Sequence, residues 1–382
     1  MRLSQCHNFH DFRTLAKRRL PGPIFNYIDG AADDEISLRR NTEAFDRCDL
    51  VPNILRGASE IDLSTTVMGH KIDMPFYCSP TALQRLFHHT GERSVAAAAE
   101  KYGTLFGVSS LGTVSLEELR KKHKSPQVYQ FYFHKDRGLN RAMLQRAKEA
   151  GVDIMMLTVD SNTGGNRERD LRTGFSIPMR LTVGGAVEFM IKPMWAINYF
   201  THEGFRLPQL EDHVDMSGGA TSIGRYFTEM LDPAMTWDDI AKMVEEWDGQ
   251  FCLKGVMSVE DCKKAVDIGC TGVILSNHGG RQLDATRAPF DQLTDVVDAV
   301  GDQVDVIMDG GVQRGTHVIK ALSIGAKAVG AGRYYLYPLA AAGQAGVERA
   351  LGLMREELER NMKLMGCRNI SELSRANLRW RD

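Results

Sequence analysis

Eight short apolar runs, each continuous, constrain this chain more than any other feature. They are "MPFYCSPT", "LFGVSS", "VYQFYF", "IMMLTVD", "FCLKGV", "GVILSNH", "DVIMDGG" and "AVGAGR". A strand that faces water on one side alternates apolar and polar residues, whereas a parallel strand covered on both faces does not. Amphipathic stretches lie between most of them: "TGERSVAAAAEKYG", "SLEELRKKH", "LNRAMLQRAKEAG", "SVEDCKKAVDIG" and "THVIKALSIGAKA". Several open on Ser or Thr with acids in the first turn, and several close on Gly, as helices do. Eight strands alternating with helices predict an α/β fold, a (β/α)8 TIM barrel.

One interval breaks the rhythm. Between Asp160 and Lys254 the chain is far longer than a loop and a helix need. "TWDDIAKMVEEWDG" supplies the helix, and residues 171–233 or so read as an insertion after the fourth strand. The chain is therefore expected to form a single domain over 1–382. A helical extension (1–70) covers the barrel's N-terminal face or leans over its rim. The barrel follows (71–350), then a C-terminal amphipathic helix and tail (351–382).

Composition excludes several classes. A formal net charge of −2 gives no reason to expect nucleic acid as a partner. The 7 cysteines form no C-x-x-C pair, so free thiols in a reducing, cytoplasmic setting are expected, with no metal. No apolar window is long enough for a transmembrane helix, and the start has no secretory apolar core.

Barrel enzymes place their chemistry at the C-terminal ends of the strands. In chain order these ends carry Pro80, Thr81 and Ala82; Ser109; Gln130 and Tyr132; Thr158 and Asp160, with Arg167 beyond; Lys254; Ser276, His278 and Arg281; Asp309, Gly310 and Gly311; and Gly332 and Arg333. "MDGGVQRG" and "GAGR" close the last two strands, the usual phosphate position of such barrels, where Arg333 and Arg314 add positive charge. There is no G-x-x-x-x-G-K-[ST] motif. Lys254 sits inside an apolar run; it either snorkels to the mouth or holds a fixed charge near something that becomes negative. His278 can take a proton near neutral pH if a buried carboxylate, for which Asp160 is the candidate, fixes its tautomer. Arg281 and Arg167 suit bidentate capture of a small carboxylic acid.

With these residues the chain resembles the FMN-dependent α-hydroxy acid oxidases and dehydrogenases, the family of glycolate oxidase, L-lactate dehydrogenase and mandelate dehydrogenase. "FNYIDGAADDE", "SPTALQ", "YQFYFHKDRG", "LTVDSNTGGNRERD", "KGV", "SNHGGRQLD" and "MDGGVQRGTHVIKALSIGA" occur in family order over nearly the whole chain. The resemblance implies oxidation of an L-2-hydroxy acid, lactate-like, to the 2-keto acid. Electrons pass from reduced FMN to a quinone, a cytochrome or oxygen. It implies that His278 is the base paired with Asp160. Arg281 and Arg167 bind the substrate carboxylate with the Tyr27 hydroxyl, and Tyr132 bonds near the substrate hydroxyl. Lys254 supports the reduced flavin. Pro80, Thr81, Ala82, Ser109, Gln130, Thr158 and Ser276 contact the isoalloxazine and ribityl. Asp309, Gly310, Gly311, Gln313, Arg314, Gly332 and Arg333 hold ribityl and phosphate. Proton removal from C2 and hydride transfer are both compatible with this set. Family members are often tetramers, so a homo-oligomer is implied.

Two positions depart from the family pattern. Leu111 stands where glycolate oxidase has tryptophan, which disfavours a glycolate preference. Gln313 stands where many members have arginine, shifting phosphate neutralisation to Arg333, Arg314 and backbone amides. In the insertion, "GGAVEFMIKPMWAINYFTHEGFRLP" mixes aromatic and basic residues. It reads either as a lid over the barrel mouth or as a peripheral contact with the inner face of a membrane.

Overall fold

The computed structural model describes residues 1–175, 191–211 and 229–381. Among the described residues there are twelve strands, numbered along the chain: β1 (Cys48–Leu50), β2 (Thr65–Val67), β3 (His70–Ile72), β4 (Phe76–Cys78), β5 (Phe106–Ser109), β6 (Gln127–Tyr132), β7 (Ile154–Thr158), β8 (Gln250–Val256), β9 (Gly272–Leu275), β10 (Asp305–Asp309), β11 (Ala328–Ala331) and β12 (Leu378–Trp380). β4 to β11 close into one parallel barrel, each strand beside its sequence neighbour and β11 beside β4. These are the eight apolar runs. β4, β5, β6, β7, β9 and β11 are buried along their whole length, which is why their sequences do not alternate.

The extension divides its labour. The β2–β3 hairpin plugs the barrel's N-terminal end: Val67, Met68 and Ile72 pack with Tyr77, Val128, Ile154, Ile274 and Ile307 from the barrel interior. The helices α1 (Phe9–Arg19), α2 (Gly22–Asp29) and α3 (Ile36–Asp46) instead reach the opposite rim. α3 is seated by partners more than two hundred residues away. Asp284, after β9, accepts hydrogen bonds from the backbone N–H groups of Ile36 (3.1 Å) and Ser37 (2.8 Å), capping the helix from outside. Asn41 and Asn277 exchange a reciprocal amide pair, both bonds 2.7 Å, in a buried setting. A Cβ on Gly311 (φ 75°) would stand 2.1 Å from the Asn41 carbonyl, so only glycine lets α3 approach the turn after β10.

The C-terminal helix runs Arg333–Met365 but is broken at Ala342 and Gly343, where the backbone leaves helical space. Its first part follows β11, and the second packs against the outside of the barrel. A short helix, Glu168–Thr173, leads into the insertion, which contributes another, Pro193–Phe200. Trp195 on the latter is buried, and its indole N–H donates to the Leu86 carbonyl (2.8 Å). Ile191, Met194, Ile197 and Phe200 are exposed. The first part of the aromatic stretch, residues 184–190, lies outside the described residues. Among the described residues no helix is long and apolar enough to cross a membrane. All 7 cysteines are buried and unpaired.

Candidate active site

A cavity of about 560 Å³ opens at the C-terminal ends of the strands, within the size range of small-molecule and cofactor sites. His278, in a tight turn after β9, lines it. Its φ of 57° is in the left-handed region that non-glycine residues avoid. The turn is held by the His278 N–H, which donates to Ser276 Oγ (3.1 Å). The ring's Nδ1 lies 3.1 Å from Asp160 Oδ1 and 3.3 Å from Ser161 Oγ. Burial would raise the Asp160 carboxyl, but the charge and hydrogen bond of His278, with Lys254 and Ser161 behind, outweigh it and hold the group below its ordinary value. Asp160 does not itself line the cavity; it stands behind the histidine, joined through Nδ1, which leaves Nε2 as the ring's second nitrogen.

Lys254 comes from the middle of β8 and is buried. Its Nζ donates to Ser276 Oγ (2.9 Å) and lies 3.2 Å from Asp309 Oδ2 at the end of β10. The lysine is thus paired at the cavity floor rather than extended to solvent. Thr81, Ala82 and Pro80 after β4, Ser109 of β5 and Tyr132 of β6 line the walls. Burial, then the Asp160 charge, raises the Tyr132 hydroxyl.

Two arginines approach the ring of Tyr27 on α2. The Arg281 guanidinium lies 4.9 Å from the centre of the Tyr27 ring and that of Arg167 5.8 Å, while Phe175 stacks on the same ring at 4.4 Å. Arg281 Nη1 is fixed by the carbonyls of Tyr27 (2.6 Å) and Gly30 (2.9 Å). Burial, reinforced by Arg167, lowers its guanidinium to about 10. Two buried or half-buried cations set side by side form a site that an anion, and a carboxylate above all, would stabilise.

The last two strand ends hold Gly310, Gly311, Gln313, Gly332 and Arg333 against the cavity. Three groups expected to contact a cofactor, Gln130, Thr158 and Ser276, are buried beside lining residues rather than lining the cavity themselves. Gln130 accepts from Ser109 Oγ (3.0 Å), and Ser276 serves Lys254. Arg314 is placed differently from the other expected phosphate contacts. Its Nη1 donates to Glu357 (2.8 Å) on the C-terminal helix, and the same carboxylate caps the Gly315 N–H (2.8 Å), so the side chain is turned out of the cavity. Arg333 is partly occupied, donating to the carbonyls of Ile28, Gly279 and Gly30 at 2.9, 2.9 and 2.7 Å.

Sequence reasoning missed Ser161, Phe175, Arg169 and the α3 residues Asn41 and Thr42. Thr42 Oγ1 accepts from Gln313 Nε2 (3.3 Å). No local signal marks Asn41 or Thr42, because their partners are remote. Arg169 was visible in "NRERD", two residues beyond Arg167.

A sequence profile described as FMN-dependent dehydrogenase matches residues 16–380. The chain belongs to this family of FMN-dependent 2-hydroxy acid oxidoreductases. It is 38% identical over 375 residues to the L-lactate oxidase of Nostoc sp., covering 97% of each chain. It is 36% identical over 376 residues to glycolate oxidase 1 of Oryza sativa subsp. indica, covering 98% of this chain and 96% of that one. The crystal structure of the monotopic membrane protein (S)-mandelate dehydrogenase superposes with a TM-score of 0.92 at 31% identity, over 98% of this chain and 99% of that one. The cofactor of the family is FMN, and the residues here fit it. The cavity has the volume, Lys254 and Asp309 are a buried polar pair at its floor, and Arg333 and the Gly310–Gly311 turn stand at the strand ends where a phosphate belongs.

Proposed function

We propose that this chain oxidises a lactate-like L-2-hydroxy acid to the 2-keto acid and passes the electrons to a quinone or cytochrome. The observation that carries the reading is the convergence of a carboxylate-held histidine and two arginines on one cavity. Arg281 and Arg167 hold the substrate carboxylate, with help from the Tyr27 hydroxyl. Tyr132 bonds near the substrate hydroxyl. His278 takes the proton on Nε2 while Asp160, held as the anion, keeps the Nδ1 tautomer and stabilises the imidazolium that results. Lys254 keeps a positive charge at the floor, anchored by Ser276 and Asp309. Pro80, Thr81, Ala82, Ser109, Asp309, Gly310, Gly311, Gln313, Gly332 and Arg333 would hold FMN. Bound FMN supplies the two-electron acceptor, and the protein supplies position and charge.

Leu111 lines the cavity and leaves room that a tryptophan would fill, which supports an acid with a side chain over glycolate. The exposed row Met194, Ile197 and Phe200, with Ile191 just before the helix, supports a peripheral membrane contact, because the opposite face of the helix is anchored to the barrel by Trp195. Oxygen is the alternative acceptor, favoured by the similarity to a lactate oxidase. Anaerobic bleaching with L-lactate, glycolate and mandelate, followed by reoxidation with a quinone or with oxygen, tests substrate and acceptor together. Fastest bleaching by lactate with fast quinone reoxidation is the expected result. Glycolate bleaching fastest, or reoxidation by oxygen alone, would overturn the corresponding half.

A further inference from the structure

We propose that Arg169 and Asp29 are positioning residues for recognition of the substrate carboxylate, an inference that rests on the reading of Arg167 and Arg281 as its holders. Asp29 ends α2, two residues after Tyr27, and is buried. Its Oδ1 accepts from Arg13 Nε (2.5 Å) and the Tyr337 hydroxyl (2.7 Å), and its Oδ2 from Arg13 Nη2 (2.7 Å) and Arg169 Nη1 (2.9 Å). Arg169 Nη2 also donates to Glu35. The next residue, Gly30, offers its carbonyl to Arg281 Nη1 (2.9 Å) and Arg333 Nη2 (2.7 Å). Residues 29 and 30 are therefore one junction on which four arginines from four parts of the chain converge.

The junction has a direction. Arg169 lies in the first turn of the helix Glu168–Thr173, whose N-cap residue is Arg167. Pinning Arg169 to Asp29 brings that helix, and Arg167 with it, against α2. Gly30 meanwhile fixes Arg281, and both guanidinium groups lie near the Tyr27 ring, at 4.9 and 5.8 Å from its centre. The hydrogen bonds of the Asp29 carboxylate go to Arg13, Arg169 and Tyr337 and none to Arg167 or Arg281. The anion thus fixes the platform without neutralising the two cations that face the substrate. A buried carboxylate with several charge-assisted bonds is stiff enough for this task.

The test uses the FMN-loaded full chain and L-lactate, or whichever of lactate, glycolate and mandelate bleaches it fastest. Arg169→Gln is expected to raise KM on the order of tenfold, with a much smaller loss in the limiting rate of flavin reduction and unchanged flavin content. Asp29→Asn should act in the same sense. Arg169 also donates to Glu35, so the cycle is run in a Glu35→Gln background, where adding Arg169→Gln to Asp29→Asn should make it no worse. In that background a combined variant markedly worse than Asp29→Asn would show that Arg169 holds the substrate itself and would overturn the proposal. Should Asp29→Asn fail to fold, Arg169→Gln decides, its side chain being 37% exposed. Arg167→Gln is run in parallel. If it raises KM while Arg169→Gln does not, this inference falls and the carboxylate reading stands; if Arg167→Gln leaves KM unchanged, both fall.

Discussion

Asp160 Oδ1 lies 3.1 Å from His278 Nδ1, and the two residues are brought together from the ends of β7 and β9, strands separated in the barrel by β8. The carboxylate is held ionised by the histidine it serves. Asp160→Asn keeps the size of the side chain but offers the ring a donor as readily as an acceptor, so the tautomer is no longer fixed. Flavin reduction at neutral pH is expected to slow about a hundredfold or more, with Asp160→Glu recovering part of the loss. Stopped-flow reduction by L-lactate measures it; an Asn variant within threefold of the parent would show that the pair does not operate as described.

The strand between them is shaped for that pair. Gly255 of β8 has φ 98°, and a Cβ there would stand 2.5 Å from Asp160 Cγ. Gly255→Ala should cost about 1–3 kcal/mol of stability and, by displacing the carboxylate, slow flavin reduction about tenfold or more. Urea unfolding and reduction kinetics on the same preparation check both effects. An alanine variant with parental kinetics would mean that the position of Asp160 is not critical.

Three histidines outside the site make the fold acid-sensitive. Burial lowers His88, His134 and His317 each to about 4. The unfolded chain, with imidazoles near 6.5, binds these protons first. Their contribution to stability is therefore complete above about pH 6.5 and is lost as pH falls towards 4, at up to about 1.4 kcal/mol per pH unit for each. The urea midpoint should drop between pH 6.5 and 4.5, and His134→Gln should make that drop shallower. A midpoint flat across this window would contradict the burial of these rings.

The exposed face of the helix Pro193–Phe200 separates the two readings of the insertion. Ile197→Ser with Phe200→Ser should leave lactate-dependent bleaching near parental values while releasing the protein from sedimenting lipid vesicles. A parent chain that stays in the supernatant with vesicles at low salt would rule out the membrane contact.

Much of this architecture was legible in the sequence because it is local. Continuous apolar runs report strands buried on both faces, and the polar residues that end each run identify the mouth of the barrel. The helix Pro289–Val300, between the sixth and seventh strands, is equally legible, with Pro at its first position and Phe290, Leu293, Val296 and Val300 on its buried side. What could not be read depends on partners distant in sequence. Arg314 looks like a phosphate ligand in "GGVQRG" until Glu357 is found beside it. Arg333 looks wholly available until α2 presents its carbonyls. Asp284 is only the end of "SNHGGRQLD" until α3 sets its N-terminus on it.

The central claim is that His278 takes the proton during oxidation of the hydroxy acid. The most direct measurement compares anaerobic flavin bleaching by L-lactate in the parent and in His278→Ala, with flavin content measured in both. The parent should bleach completely, and the variant, retaining its yellow FMN, should bleach slower by about two to four orders of magnitude. A flavin-replete His278→Ala protein that bleaches at a near-parental rate would contradict the account.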